Sequence, residues 1–145
     1  MTSIAIPPEV RELLDGPNYL HLTTLRPDGT PRNHVVWGWR EGDQVIVATD
    51  PENAKAKDMD RDPRVSISLV DHDDPYRMAA LRGRVVEVRP EDGLRMMDQF
   101  ARKYTSAPFP DRDISLIYYV IAVTSAYERT LGGYTHNPDR ADAAD

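Results

Sequence analysis

Asn53-Ala-Lys-Ala-Lys-Asp-Met-Asp-Arg-Asp-Pro-Arg-Val-Ser-Ile-Ser-Leu-Val70 holds a helix and a strand whose order decides the fold. Alanine, lysine and methionine favour a helix over Ala54–Arg61, and Asp62-Pro-Arg64 stops it. Val65, Ile67 and Leu69 then alternate with Ser66 and Ser68, which predicts a strand from Val65 to Asp71 with one buried face. Immediately upstream, Gln44 to Thr49 is apolar and β-branched and predicts another strand. A strand feeding a helix start is a natural place to hold an anion, because the first turn offers unpaired N–H groups and a partial positive charge. Lys55 and Lys57 add two full charges there, in a chain whose net charge is −6. The same lysines also read as solvated surface residues balanced by Asp58, Asp60 and Asp62.

Working outward, Ile6-Pro-Pro-Glu9 opens a helix, since proline suits the first turn. Val10, Leu13 and Leu14 share one face, and Asp15-Gly-Pro17 ends it. A strand from Tyr19 to Leu25, the turn Arg26-Pro-Asp-Gly-Thr30, a strand from Pro31 to Arg40, the turn Glu41-Gly-Asp43 and the strand Gln44–Thr49 predict a three-stranded antiparallel meander. Trp37 and Trp39 fall on one face of its middle strand, while His34, Val36 and Gly38 fall on the other, a flat surface where a planar ring could lie. Downstream come the loop Asp71-His-Asp-Asp-Pro75, a long strand Tyr76–Arg89 and a helix starting at Pro90. Leu94, Met97, Phe100, Ala101 and Tyr104 form the apolar stripe of that helix, read as core packing. After a proline-bearing loop, Thr105 to Arg112, a last strand runs from Ile114 to Thr124 and continues through Tyr127 to Gly133. The expectation is one domain over residues 1–136, mainly β with helices (α+β), its six strands closing into a barrel that removes their edges. The Ala- and Asp-rich tail, 137–145, is expected to be disordered.

Several chemistries are excluded. Cysteine is absent, which removes disulfides, thiolate metal sites and thiol catalysis and fits a reducing cytoplasm. The first eight residues lack the basic-then-apolar layout of a secretory leader, and no run reaches the ~18 apolar residues of a membrane helix. A pI near 5.2 argues against a phosphate-tracking nucleic-acid binder. No Gly-x-Ser-x-Gly elbow or Gly-x-Gly-x-x-Gly fingerprint occurs. His21, His34, His72 and His136 lack ligand spacing, and the acidic loop around His72 lacks a calcium-loop pattern, so no metal is expected.

The ordered set Leu22-Thr-Thr-Leu-Arg-Pro-Asp-Gly-Thr-Pro-Arg32, His34-Val-Val-Trp37, Val45-Ile-Val-Ala-Thr49, Lys55 through Val70, Asp73-Asp-Pro-Tyr-Arg77 and Arg82-Gly-Arg-Val85 resembles the split β-barrel flavin and deazaflavin proteins related to pyridoxamine 5′-phosphate oxidase. More narrowly, it resembles their branch that uses coenzyme F420. The resemblance implies an antiparallel split β-barrel of the FMN-binding kind, a homodimer with cofactor sites at the subunit interface, and hydride transfer to a small conjugated substrate. Carried over by position, His34 and Val36 would lie along the ring, and Val47, Ala48 and Thr49 along its edge. Asn53, Ala54, Lys55 and Lys57 would hold the phosphate, and Tyr76, Arg77 and Met78 would come from the partner subunit. Asp58 stands where relatives often carry asparagine, and a carboxylate there would repel a phosphate. FMN is the alternative cofactor, and a non-catalytic F420 or flavin carrier the alternative role. A haem-handling relative would need His34 or His21 as an axial ligand.

Overall fold

The computed structural model describes residues 2–133, so the tail expected to be disordered lies outside the described residues. In chain order the elements are α1 (Pro8–Asp15), β1 (Leu20–Leu25), β2 (Pro31–Val36), β3 (Trp39–Glu41), β4 (Gln44–Thr49), α2 (Ala54–Arg61), β5 (Arg64–Val70), β6 (Arg77–Pro90), α3 (Arg95–Thr105) and β7 (Ile117–Thr130). All seven strands join one antiparallel sheet in the order β2-β1-β5-β6-β7-β4-β3. β2 and β3 are separated in the chain only by Trp37-Gly38, yet they occupy opposite ends of that order. Two residues therefore tie the ends of the sheet together, and the sheet must curl into an open barrel: an α+β split barrel.

This corrects the expected meander, because the strand anticipated over Pro31–Arg40 breaks at Trp37-Gly38. β1–β2 and β3–β4 are two separate hairpins at the two ends of the sheet. The break depends on Gly38. A Cβ there would clash with the Leu20 Cδ2 atom, and the Gly38 N–H donates to the Tyr104 hydroxyl at 3.0 Å. Pro90 does not begin a helix; it is the last residue of β6, opposite Ile117, where a missing N–H is tolerated. The following turn is held by Glu91, whose carboxylate accepts from the N–H groups of Asp92 and Leu94, and α3 starts only at Arg95. β7 is one strand through Thr130. Irregularities in its pairing with β6, between Arg82 and Gly83 and between Val85 and Glu87, bend the two long strands, as bulges do.

Two apolar clusters result. Leu20, Leu22, Val47, Ile67, Leu69, Tyr119 and Ile121 fill the barrel interior with Val10, Leu13 and Leu14 of α1 and Ala56 and Met59 of α2. On the other face of β4 and β7, Ile46, Tyr118 and Val120 pack against Met97 and Phe100 of α3, joined by Trp37 and Trp39. β4 is thus covered on both faces, which is why its sequence is a continuous apolar run. Among the described residues no helix is long and apolar enough to cross a membrane.

Candidate functional site

The split in the barrel leaves two backbone edges without strand partners among the described residues. β2 pairs only with β1, and β3 pairs with β4 only as far as Ile46. Arg32–Val36 and Val47–Thr49 therefore each have one side without a neighbouring strand to pair with, while the Pro31 carbonyl accepts from Arg26. Between them opens a cavity of about 340 Å³ lined by Tyr19, Val35, Val36, Trp37, Ala48, Met97, Phe100 and Phe109. Among the described residues, no charged side chain is on its wall. Tyr104 stacks between Tyr19 (5.7 Å) and Trp37 (5.0 Å), and Phe109 meets Trp37 edge-on at 6.3 Å. An apolar slot with polar backbone along its margins suits a flat ring with peripheral hydrogen-bonding groups.

A positively charged corner adjoins the slot, and its position follows from how α2 docks. Asp58 is only 2% exposed and turns inward, away from the helix start. It accepts from Thr24 Oγ1 (2.8 Å), Arg32 Nε (2.7 Å) and Arg61 Nη2 (3.0 Å), and Arg61 also reaches the Leu25 carbonyl at 2.6 Å. Burial opposes the charge on Asp58, but the hydrogen bonds from Arg32, Thr24 and Arg61 outweigh it and hold the carboxyl below its usual range. One helical turn back from Asp58, about 4.5 Å, is Lys55. Two residues along β2 from Arg32, about 6.6 Å on the same face, is His34. Docking Asp58 on Arg32 therefore brings Lys55 alongside His34, whose imidazole feels the lysine charge.

Neither group has a hydrogen-bond partner among the described residues. His34 Nε2 is buried with no hydrogen-bond partner among the described residues. Burial, then Lys55 and Arg32, hold its pKa below the ordinary value, against a smaller pull upward from Asp58. Burial likewise pushes the Lys55 ammonium down, partly offset by Asp50, and the ammonium makes no hydrogen bond or ion pair among the described residues. The start of α2 is not neutralised either. Asn53 sits at the N-cap without capping it, its amide donating to Thr49 Oγ1 at 3.2 Å, and no acid occupies the first turn.

Of the residues singled out in the sequence, Val36 and Ala48 line the slot, while Asn53, Ala54 and Lys55 form the start of α2, with His34 within reach of the Lys55 charge. Val47 and Thr49 point their side chains into the interior, at 1% and 4% exposure, so they offer the slot only backbone. Lys57 lies outside, its side chain 62% exposed and loosely paired to Glu52 at 3.6 Å. Gly38 is no part of a ring floor, being packed on Leu20. Tyr76, Arg77 and Met78 sit past the far end of β5, about 20 Å of strand from α2; Arg77 pairs there with Glu12 and Asp71. One chain does not bring them to Lys55. Sequence reasoning missed Tyr19, Met97 and Phe109 on the slot and Arg32 as the partner of Asp58. The one local signal was Phe109 between two prolines, an aromatic on a stiffened loop.

This architecture is that of a flavin-binding split barrel. The family described as Pyridoxamine 5′-phosphate oxidase matches residues 6–129, and the chain belongs to that family. Among solved structures, an F420 reductase is 27% identical, with a TM-score of 0.75 over 84% of this chain and 98% of that one. A conserved hypothetical protein from Mycobacterium tuberculosis is 21% identical, with a TM-score of 0.74 over 93% of this chain and 94% of its own. A pyridoxamine 5′-phosphate oxidase-related, FMN binding protein from Nostoc punctiforme is 17% identical, with a TM-score of 0.61 over 94% and 95% of the two chains. No curated protein sequence matches the chain. Family and neighbours together point to flavin-type oxidoreductase chemistry.

Proposed function

We propose that this protein is a cytoplasmic, homodimeric oxidoreductase that uses coenzyme F420 and exchanges a hydride with a small conjugated organic substrate. The observation that carries the reading is Lys55: an ammonium partly desolvated by the fold, without a hydrogen bond or ion pair among the described residues, at an uncapped helix start with no acid in its first turn, near an apolar slot. A flat ring joined to a phosphate satisfies both features at once, the slot by burial and the cation by charge-assisted hydrogen bonds. The likeness to an F420 reductase favours the deazaflavin over FMN. When bound, the deazaflavin supplies the hydride chemistry.

The chain's own residues supply position and electrostatics. Val36, Trp37, Ala48 and Phe109 would clasp the ring and exclude water, the free edge of β4 would meet its polar rim, and Lys55 with the α2 N–H groups would fix the phosphate. Lys57, exposed at the rim, is placed for an anionic tail. This division of labour explains why no catalytic dyad is visible in the sequence. The test is equilibrium titration of the purified protein with F420 and with FMN, followed by ligand fluorescence. F420 binding, with reduced F420 reoxidised as its hydride passes to an enone or quinone that also takes up a proton, supports the proposal; tight FMN binding with none for F420 overturns the cofactor assignment. F420 binding without turnover over a broad acceptor panel would make the protein a carrier.

A further inference from the structure

On the reading of the slot as a ring site, we infer that Phe109 is its movable jaw and that Asp98, paired with Arg112, is the positioning residue that holds the jaw against Trp37. The two sides of the slot are built differently. Val35, Val36 and Ala48 belong to β2 and β4, whose backbones are fixed by ladders to β1 and β7. Phe109 stands instead on the connection between α3 and β7, in Ala107-Pro-Phe-Pro-Asp-Arg112. Pro108 and Pro110 carry no N–H and stiffen the chain, so Phe109 supplies the one backbone donor of that triplet.

Asp98 lies in the first turn of α3, its side chain 15% exposed. Its Oδ1 accepts from the Phe109 N–H at 3.0 Å and from Arg112 Nη1 at 2.7 Å, and its Oδ2 accepts from Arg112 Nη2 at 3.3 Å. Arg112 Nη1 also donates to the Phe109 carbonyl at 3.0 Å. One ion pair therefore holds both backbone polar groups of Phe109. Among the described residues, every hydrogen bond that ties residues 108–113 to the rest of the chain ends on Asp98. The two ends of the connection are fixed by other means. Ser106 closes α3 in the left-handed region with its N–H on the Arg102 carbonyl, and Ile114 and Leu116 pack into the α3 cluster. Between them is a span with pinned ends and one polar tether. The edge-on contact of Phe109 with Trp37 does not by itself offset the entropy of ordering that span, so the carboxylate sets where Phe109 stands. With the tether intact, Phe109 closes one side of the slot and keeps water from a bound ring. With it broken, the jaw swings away from β2 and β4 and the ring leaves faster.

The probe is lumiflavin, a neutral tricycle without a phosphate, so that Lys55 takes no part in the measurement; its affinity and dissociation rate are read from ring fluorescence. Phe109→Ala is expected to weaken lumiflavin binding by about tenfold, as for a lost aromatic contact. Asp98→Ala should weaken it in the same direction, through faster release. In the Phe109→Ala chain, Asp98→Ala should change nothing further, since a positioning residue has no effect once the group it positions is gone. Arg112→Ala, on the more exposed side of the pair, should repeat that pattern, and urea unfolding establishes that each variant is folded. A second readout needs no ligand. In a Trp39→Phe background the emission comes from Trp37 alone, and its quenching by acrylamide should rise in Asp98→Ala. Additive losses in the double variant, or Trp37 quenching that Asp98→Ala leaves unchanged, overturn the inference. If Trp37 quenching rises but neither lumiflavin nor F420 binds, the jaw stands and the reading of the slot as a ring site fails. If both bind Asp98→Ala with full affinity, the ring site stands and the jaw fails.

Discussion

Lys55 and Lys57 are two residues apart in sequence and far apart in energetic consequence. Lys55 has lost water to the fold and found no partner among the described residues, so a bound phosphate replaces missing hydrogen bonds. Lys55→Ala is expected to weaken cofactor binding by about 1.5–3 kcal/mol, the range for hydrogen bonds to charged groups. Lys57 keeps most of its hydration, and its replacement should change affinity by less than about 1 kcal/mol. Equal losses at both positions, read by titration, would refute this ranking. Lys103 shows the opposite use of a buried ammonium. It donates to the Leu14 and Gly38 carbonyls and holds the corner between β2 and β3, with burial pulling its pKa down to about 8 despite Asp15. Its folded pKa is lower than that of an unfolded lysine, near 10.4. Between those values the unfolded chain binds more protons, so this group adds stability as pH rises from 8 toward 10. The neutral amine keeps two N–H donors for the two carbonyls. The melting-temperature gap between wild type and Lys103→Gln should therefore widen from pH 7.5 to 9.5; a constant gap would contradict the assignment.

At the scale of elements, α2 is held by one carboxylate as well as by its apolar face. Removing Asp58 leaves Thr24, Arg32 and Arg61 without their shared acceptor. Since both arginines keep partial access to water, Asp58→Ala should destabilise the protein by about 2–4 kcal/mol, toward the lower end of the range for broken buried pairs. Cofactor affinity should fall with it, because Asp58 sets where Lys55 stands. Tighter binding in Asp58→Ala, with stability measured by urea unfolding on the same sample, would show instead that Asp58 merely repels the anion. None of this is legible locally, since Arg32 and Thr24 are 26 and 34 residues from Asp58. Other parts are legible for physical reasons. The helix formers of Ala54–Arg61 and the strict alternation Val65–Leu69 act within their own segments, and Lys55, Val36 and Ala48 stand out by charge or pattern. The break at Trp37-Gly38 was hidden because His34, Val36 and Gly38 keep a two-residue period straight through the corner. What bends the chain there is Leu20 and Tyr104, met only in three dimensions. The α3 stripe was read as core because a core and an apolar slot demand the same side chains; Met97 and Phe100 serve both.

For the whole molecule, the central consequence of the topology is that one chain cannot place all of the expected site residues together. β5 leaves α2 at Arg64 and carries the chain away for seven residues before Tyr76 is reached. The outer face of β1, β5, β6 and β7 around this end bears His21, Ser66, Ser68, Ala80 and exposed Tyr127, a surface of small and half-polar groups that a second copy could cover. If Tyr76, Arg77 and Met78 take part in the site, they do so across a dimer, and this has a consequence that a within-chain site lacks. Lys55→Ala and Tyr76→Ala chains are each expected to bind cofactor poorly as homodimers. In a mixed dimer, the Tyr76→Ala chain supplies an intact Lys55 and the Lys55→Ala chain an intact Tyr76, so one of the two sites is whole and the other doubly impaired. Co-expressing the two chains with different affinity tags and isolating the heterodimer should recover one high-affinity F420 site per dimer. A site formed within one chain gives two singly impaired sites and no recovery. Titration stoichiometry separates these outcomes, and sedimentation at the working concentration establishes that the species measured is the dimer.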